Sequence, residues 1–160
     1  MSRFDNEIRV RPSVLDRLID YEPEYSREAA PSRAKNLRML KQSVRRDLEW
    51  LLNTRATQNV PTDLKEVQSS IAVYGLPDMT TFSARSPADK VRLRRIVERV
   101  LESFEPRLEG VVVTVDPEPG PGLSLKFRID ARLKVDPAPE PVSFDTLLQI
   151  GSGEFRVKGE

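Results

Sequence analysis

Leu123-Ser124-Leu125-Lys126-Phe127-Arg128-Ile129-Asp130-Ala131-Arg132-Leu133-Lys134-Val135-Asp136 alternates apolar and polar residues without a break. A period of two places every odd-numbered side chain of this stretch on one side of an extended backbone. The stretch therefore reads as a long β-strand with one buried face and one wet face, the pattern of an antiparallel sheet covered on one side. On the amino-terminal side, Val111, Val113 and Val115 repeat the period. On the carboxy-terminal side, Val142, Phe144, Thr146, Leu148 and Ile150 predict a third strand. Phe155 and Val157 predict a short fourth after the Gly151-Ser152-Gly153 turn. The proline-rich links Pro117–Gly122 and Pro137–Pro141 have hairpin length, so the strands form a meander.

Upstream the period lengthens to that of a helix. Leu37, Leu40, Val44, Leu48 and Leu51 make one apolar stripe over residues 34–52, opposite Lys41, Arg45, Asp47 and Glu49. Asn53 and Thr54 are expected to end this helix. A second helix opens at Ser86 as N-cap, with Pro87 in the first turn and Asp89 at the capping-box position. Its stripe is Val91, Leu93, Ile96, Val97, Val100, Leu101 and Phe104, and Pro106 stops it by excluding helical geometry at Glu105. Between the two, residues 56–86 are polar and turn-rich. A short helix there is expected to be capped by Thr62 or Asp63, with Leu64, Val67 and Ile71 as its apolar edge. Tyr74-Gly75-Leu76-Pro77-Asp78 reads as a turn. The fold class is α+β: helices first, an antiparallel β-meander last.

Residues 1–33 read as an arm and residues 34–160 as the domain. The arm carries one amphipathic cluster, Val14, Leu15, Leu18 and Ile19, preceded by Pro12 and the N-cap Ser13. A helix this short does not fold alone. It packs on its own domain or docks a partner through Leu15 and Leu18. The second option implies that the arm is dispensable for folding.

Composition narrows the chemistry. The 160 residues contain no Cys and no His, and the net charge is +1. Disulfides, thiol catalysis and the commonest general base and metal ligand are excluded. No phosphate loop or metal-ligand cluster is present, so no cofactor and no small-molecule substrate is expected. The 25 acidic residues are scattered, so a close carboxylate pair carries little information. Lys90, Arg92, Arg94, Arg95 and Arg99 could meet phosphates, but without interleaved aromatics they read as a solvated helix face, and no nucleic acid is expected. Met1–Arg11 has no apolar core of a signal peptide, and no apolar run approaches the roughly 20 residues of a membrane span. The expectation is a cytoplasmic protein without membrane insertion.

Two segments carry more than packing. One is Arg46-Asp47-Leu48-Glu49-Trp50-Leu51-Leu52-Asn53-Thr54-Arg55, with the chain's one tryptophan. The other is Glu105-Pro106-Arg107-Leu108, where Pro106 fixes Glu105 relative to the planar fork of Arg107. The pair either closes the helix end locally or forms a recognition point for another subunit.

With Ser13-Val14-Leu15-Asp16-Arg17-Leu18, Ser70-Ile71-Ala72-Val73-Tyr74-Gly75-Leu76-Pro77-Asp78 and Phe144-Asp145-Thr146, these segments stand in the order found in one family. The chain resembles the TssE family of type VI secretion baseplates and, more distantly, the lysozyme-like wedge protein of contractile phage tails. The resemblance runs over residues 13–157, except for 22–33. It implies a structural subunit held among other baseplate wedge proteins at a membrane-docked assembly. It implies a sheet like the handshake domain of sheath proteins, which starts sheath polymerisation by strand exchange. It also implies that Glu105, Pro106 and Arg107 are the assembly element and that the edge near Phe155 and Val157 meets the sheath. Alanine at Glu105 or Arg107 is then expected to leave the isolated chain folded and to abolish assembly. Two other classes stand beside this one. A generic adaptor is the first. The second is a peptidoglycan-cleaving, lysozyme-like enzyme with Glu105 as its acid, although Arg107 next to it would lower that group's pKa rather than raise it.

Overall fold

The computed structural model describes residues 13–19, 33–57, 60, 63–79, 81–83, 85–117, 124–149 and 152–159. The helices are α1 (Val14–Leu18), α2 (Arg33–Asn53), α3 (Lys65–Gln68) and α4 (Pro87–Phe104), with a 3-10 turn at Ile71–Val73. The strands are β1 (Leu108–Pro117), β2 (Ser124–Leu133), β3 (Glu140–Gln149) and β4 (Glu154–Gly159), in the order β1-β2-β3-β4 and all antiparallel. The α+β meander read from the alternation is the observed architecture.

One face of the sheet is the core. Leu125, Phe127, Ile129, Ala131 and Leu133 of β2 are buried, as are Val142, Phe144, Thr146 and Leu148 of β3. They meet Leu40, Val44, Leu48, Leu51 and Leu52 of α2 and Leu93, Val97 and Leu101 of α4. Helix α2 lies against β4, and α4 against β1. Ser86 caps α4 by accepting from the Asp89 N–H at 3.2 Å, as its sequence predicts. Val91, counted in the stripe by spacing, is exposed.

Parity changes once. Leu108 and the odd-numbered Val111 and Val113 all face inward because a bulge between Glu109 and Val112 inserts an extra residue. Gly110, at φ +61°, takes the backbone conformation that the bulge needs. Strand β2 ends at Leu133, although Val135 is still buried, and Leu123 lies outside the described residues, as does Ile150. The hydroxyl of Thr146 is buried without a partner among the described residues, a cost of about 1–3 kcal/mol.

The passage between α2 and α4 departs most from expectation. The N-cap of α3 is Leu64, with no side-chain bond, rather than Asp63, and Thr62 lies outside the described residues. Leu64 and Ile71 are exposed, so the expected apolar edge does not pack. What holds this passage is Leu76, fully buried, whose N–H bonds the Thr54 carbonyl at 2.8 Å and whose carbonyl accepts from Ala56 at 2.9 Å. Gly75, at φ +111°, is required there, since a Cβ would lie 2.4 Å from the Thr54 oxygen.

Candidate interaction site

The corner between α4 and β1 is built by Glu105-Pro106-Arg107. Glu105 is the last residue to bond back into α4, its N–H reaching the Leu101 carbonyl at 2.9 Å, and it leaves helical geometry before Pro106. The end of β2 closes the corner from behind: the Lys134 N–H bonds the Arg107 carbonyl at 2.9 Å and its Nζ bonds the Pro106 carbonyl at 2.9 Å.

Glu105 is 4% exposed. Both of its carboxylate oxygens accept from Arg107: Nε to Oε1 at 2.6 Å and Nη2 to Oε2 at 2.5 Å, with the Arg107 N–H adding a third bond at 3.2 Å. The pair closes within one chain and at the helix end, the local option left open by the sequence. It does not stop there. Arg107 Nη2 also reaches Asp47 Oδ2 at 2.6 Å, and Nη1 reaches Ser43 Oγ at 3.0 Å. Asp47 Oδ1 accepts from Arg46 Nε and Nη2 at 3.1 and 3.0 Å. Arg46 Nη2 in turn reaches Asp16 Oδ1 at 2.8 Å. Ser43 Oγ closes the ring by donating to Asp16 Oδ2 at 2.5 Å.

The network therefore ties three places distant in sequence: α1, the middle of α2 and the α4–β1 corner. Burial raises the Asp16 pKa, but hydrogen bonds from Ser43, Arg46 and Ser13 outweigh it and hold the carboxyl well below its usual range. Burial also works against the Arg107 charge, and the bonds and charges of Glu105 and Asp47 more than reverse it, so the guanidinium stays charged. Three carboxylates, Asp16, Asp47 and Glu105, face two guanidiniums, Arg46 and Arg107, leaving one negative charge over within the cluster.

Around this cluster the surface is apolar. Val14 and Leu18 of α1 are 74% and 77% exposed, while Leu15 is half-buried. Trp50 is 51% exposed and lies 5.2 Å beneath the Arg46 guanidinium. Pro106, between Glu105 and Arg107, is exposed as well. Spacing alone did not reveal Asp16, Ser43 and Asp47 as partners of Arg107. The signal was available: Ser43 and Asp47 are four apart on one helix face, beside the apolar stripe.

The carboxy-terminal edge is different. The side chains of Phe155 and Val157 are buried in the core, so only their main chain is offered at the edge. The Asn53 amide lies on the backbone of Phe155, accepting its N–H at 2.9 Å and donating to its carbonyl at 2.8 Å. Asn53, expected as a helix stop, thus works as a clip between α2 and β4. Arg55 adds a bond to the Gly153 carbonyl at 3.0 Å. In an antiparallel strand alternate residues direct their main-chain groups to the same side, so those of Val157 point off the edge like those of Phe155. At the opposite edge Glu98 of α4 accepts the Val113 N–H at 3.0 Å. The basic residues of α4 line its outer face, with Arg94 3.9 Å from Glu98 and Arg92 5.3 Å from the Phe82 ring. Among the described residues no group of three or more acidic side chains is placed to hold a metal ion, and no helix is long and apolar enough to cross a membrane.

Residues 38–138 match the family model of the baseplate wedge protein gp25, which is more than half of the chain. The chain belongs to the baseplate wedge protein gp25 family. This is the family toward which the ordered motifs pointed. The matched residues include Ser43, Arg46, Asp47, Glu105 and Arg107, and stop before β3 and β4. Among solved structures, a chain of one described as the baseplate complex from the type VI secretion system is similar at 24% identity and a TM-score of 0.50. The match covers 69% of this chain and 94% of that one. No curated protein matches. A wedge-family chain is a structural baseplate component, and in this member the corner network joins α1, α2 and the α4–β1 corner.

Proposed function

We propose that this chain is a non-enzymatic subunit of a type VI secretion baseplate that joins neighbouring wedge subunits and starts the contractile sheath. The observation that carries the reading is a buried, charged corner ringed by exposed apolar side chains, Val14, Leu18 and Trp50. Exposed aromatic and aliphatic anchors around a polar centre are the makings of a protein interface. The excess negative charge of the cluster favours a partner that presents a lysine or arginine. The solved type VI baseplate chain of similar fold supports such machinery as the setting. In this reading the assembly docks at the cytoplasmic side of a membrane.

In this reading the arm docks a wedge partner through Leu18 and its neighbours, and Glu105, Pro106 and Arg107 hold the docking corner in shape. The open main chain around Val157 receives a strand from the sheath, as exposed edges do. Glu105 is a poor general acid here, because both of its oxygens are engaged by a guanidinium.

Wedge-subunit copurification and fluorescent sheath foci test the proposal. Leu18→Asp and Trp50→Ala alter exposed side chains, so both variants are expected to fold and to lose wedge subunits. Val157→Pro removes an edge donor and is expected to lose foci while keeping the wedge. Normal copurification and foci in all three variants would overturn the assignment. Cleavage of purified peptidoglycan that disappears in Glu105→Gln would restore the enzyme reading.

A further inference from the structure

A second surface lies on the other flank of α2, away from the charged corner. Leu37 of α2 and Ala131, Val142 and Phe144 of the sheet line a groove bordered by Arg38, Lys41 and Arg45. The three cations stand at spacings of three and four, so they share one helix face. Among the described residues none of them forms an ion pair, and Asp130 is the one acid lining the groove.

The sheet leaves room beside them. Strand β4 pairs with β3 from Phe144 to Gln149, so Glu140–Ser143 run past the paired part. Pro141 sits in that overhang, where its missing N–H costs no ladder bond to β4. A strand overhang, an apolar floor and an unpaired cationic rim meet at one place.

We infer that this groove seats an acidic, apolar-anchored segment of a neighbouring baseplate subunit. The inference rests on the baseplate reading above. Charge complementarity selects the occupant: a segment with Leu, Ile or Phe on one side and Asp or Glu on the other fills the floor and pairs the rim. A nucleic acid fits less well, because Phe144 in the floor is buried and no aromatic side chain stands on the rim to stack a base.

Photo-crosslinking in the assembled particle tests this. One photo-reactive residue replaces exposed Gln42, which lines the groove, and in a separate chain another replaces exposed Arg156 on the edge strand β4. The adduct from position 42 is expected to map to a segment of a different subunit with excess Asp and Glu and large apolar residues. The triple change Arg38→Glu, Lys41→Glu, Arg45→Glu is expected to lower that adduct at least tenfold. Its midpoint of thermal unfolding should stay within about 3 °C of the parent, and the adduct from position 156 should be unchanged. An adduct to nucleic acid, to a second copy, to this chain's own acidic residues 20–28 or to a basic segment overturns the inference, as does a yield indifferent to the triple change. Adducts from position 156 with none from position 42 overturn the groove alone. No adduct to any subunit from either position overturns the baseplate reading with it.

Discussion

Two sets of ion pairs in this molecule each share one charged group between two partners, in different surroundings. At the α4–β1 corner, Arg107 holds Glu105 and Asp47 at 2.5–2.6 Å. On the outer face of the sheet, Asp145 holds Lys126 at 3.0 Å and Arg128 at 3.1 Å. The first set is buried against the core and shares its oxygens among three elements. The second stands in water across adjacent strands. Bonds from Lys126 and Arg128 hold the Asp145 carboxyl below its usual range, yet solvent and salt screen what this contributes to stability. The buried set is also the shorter one, but length does not by itself set what an ion pair contributes. Burial and the number of partners do.

The largest effect is expected at the corner. Glu105→Ala or Arg107→Ala strands a buried charge and should cost about 3–5 kcal/mol in urea unfolding. This replaces the expectation from sequence that both variants fold normally, because Glu105 is buried rather than displayed. A loss below about 1 kcal/mol would erase the distinction between the two sets. Next comes Asp47→Asn, which keeps the shape and removes one charge-assisted acceptor. A loss of roughly 1.5–3 kcal/mol is expected by the same measurement.

Acid titration sharpens the comparison. The folded-state pKa of Asp16 lies below its unfolded value near 3.8, so its contribution is fully present above that value. It is lost as pH falls through the lower, folded value. Stability of the parent should therefore fall below about pH 4, and Asp16→Asn should flatten that limb. An unchanged acid limb would show that α1 is not tethered. The smallest effect belongs to the sheet face: Asp145→Asn should cost about 0–1 kcal/mol and even less in high salt.

How much of this was legible in the sequence follows from the range of each interaction. The strands, the two long helices and their stops were readable because period and capping are local. Ser86, Pro87 and Pro106 mark one helix within a residue. Leu64 and Ile71 misled, because periodicity records which residues are apolar and not whether a surface exists to cover them. Glu105 and Arg107 were singled out by local stiffness. Their partners Ser43 and Asp47 come from about sixty residues away, and only the packing of α2 against the corner joins them. Asn53 was read as a helix stop for the same reason: its partner, Phe155, is 102 residues away.

That asparagine has a consequence for growth of the sheet. A strand arriving at β4 finds the main-chain groups of Phe155 already taken and those of Val157 open. For the strand addition proposed above, Asn53 would act as an end stop: a strand that slid one residue further would have to break the two hydrogen bonds of this amide. Since a slip of one residue turns every side chain of a strand to the opposite face, a single side-chain amide sets the phase of whatever is built on this edge.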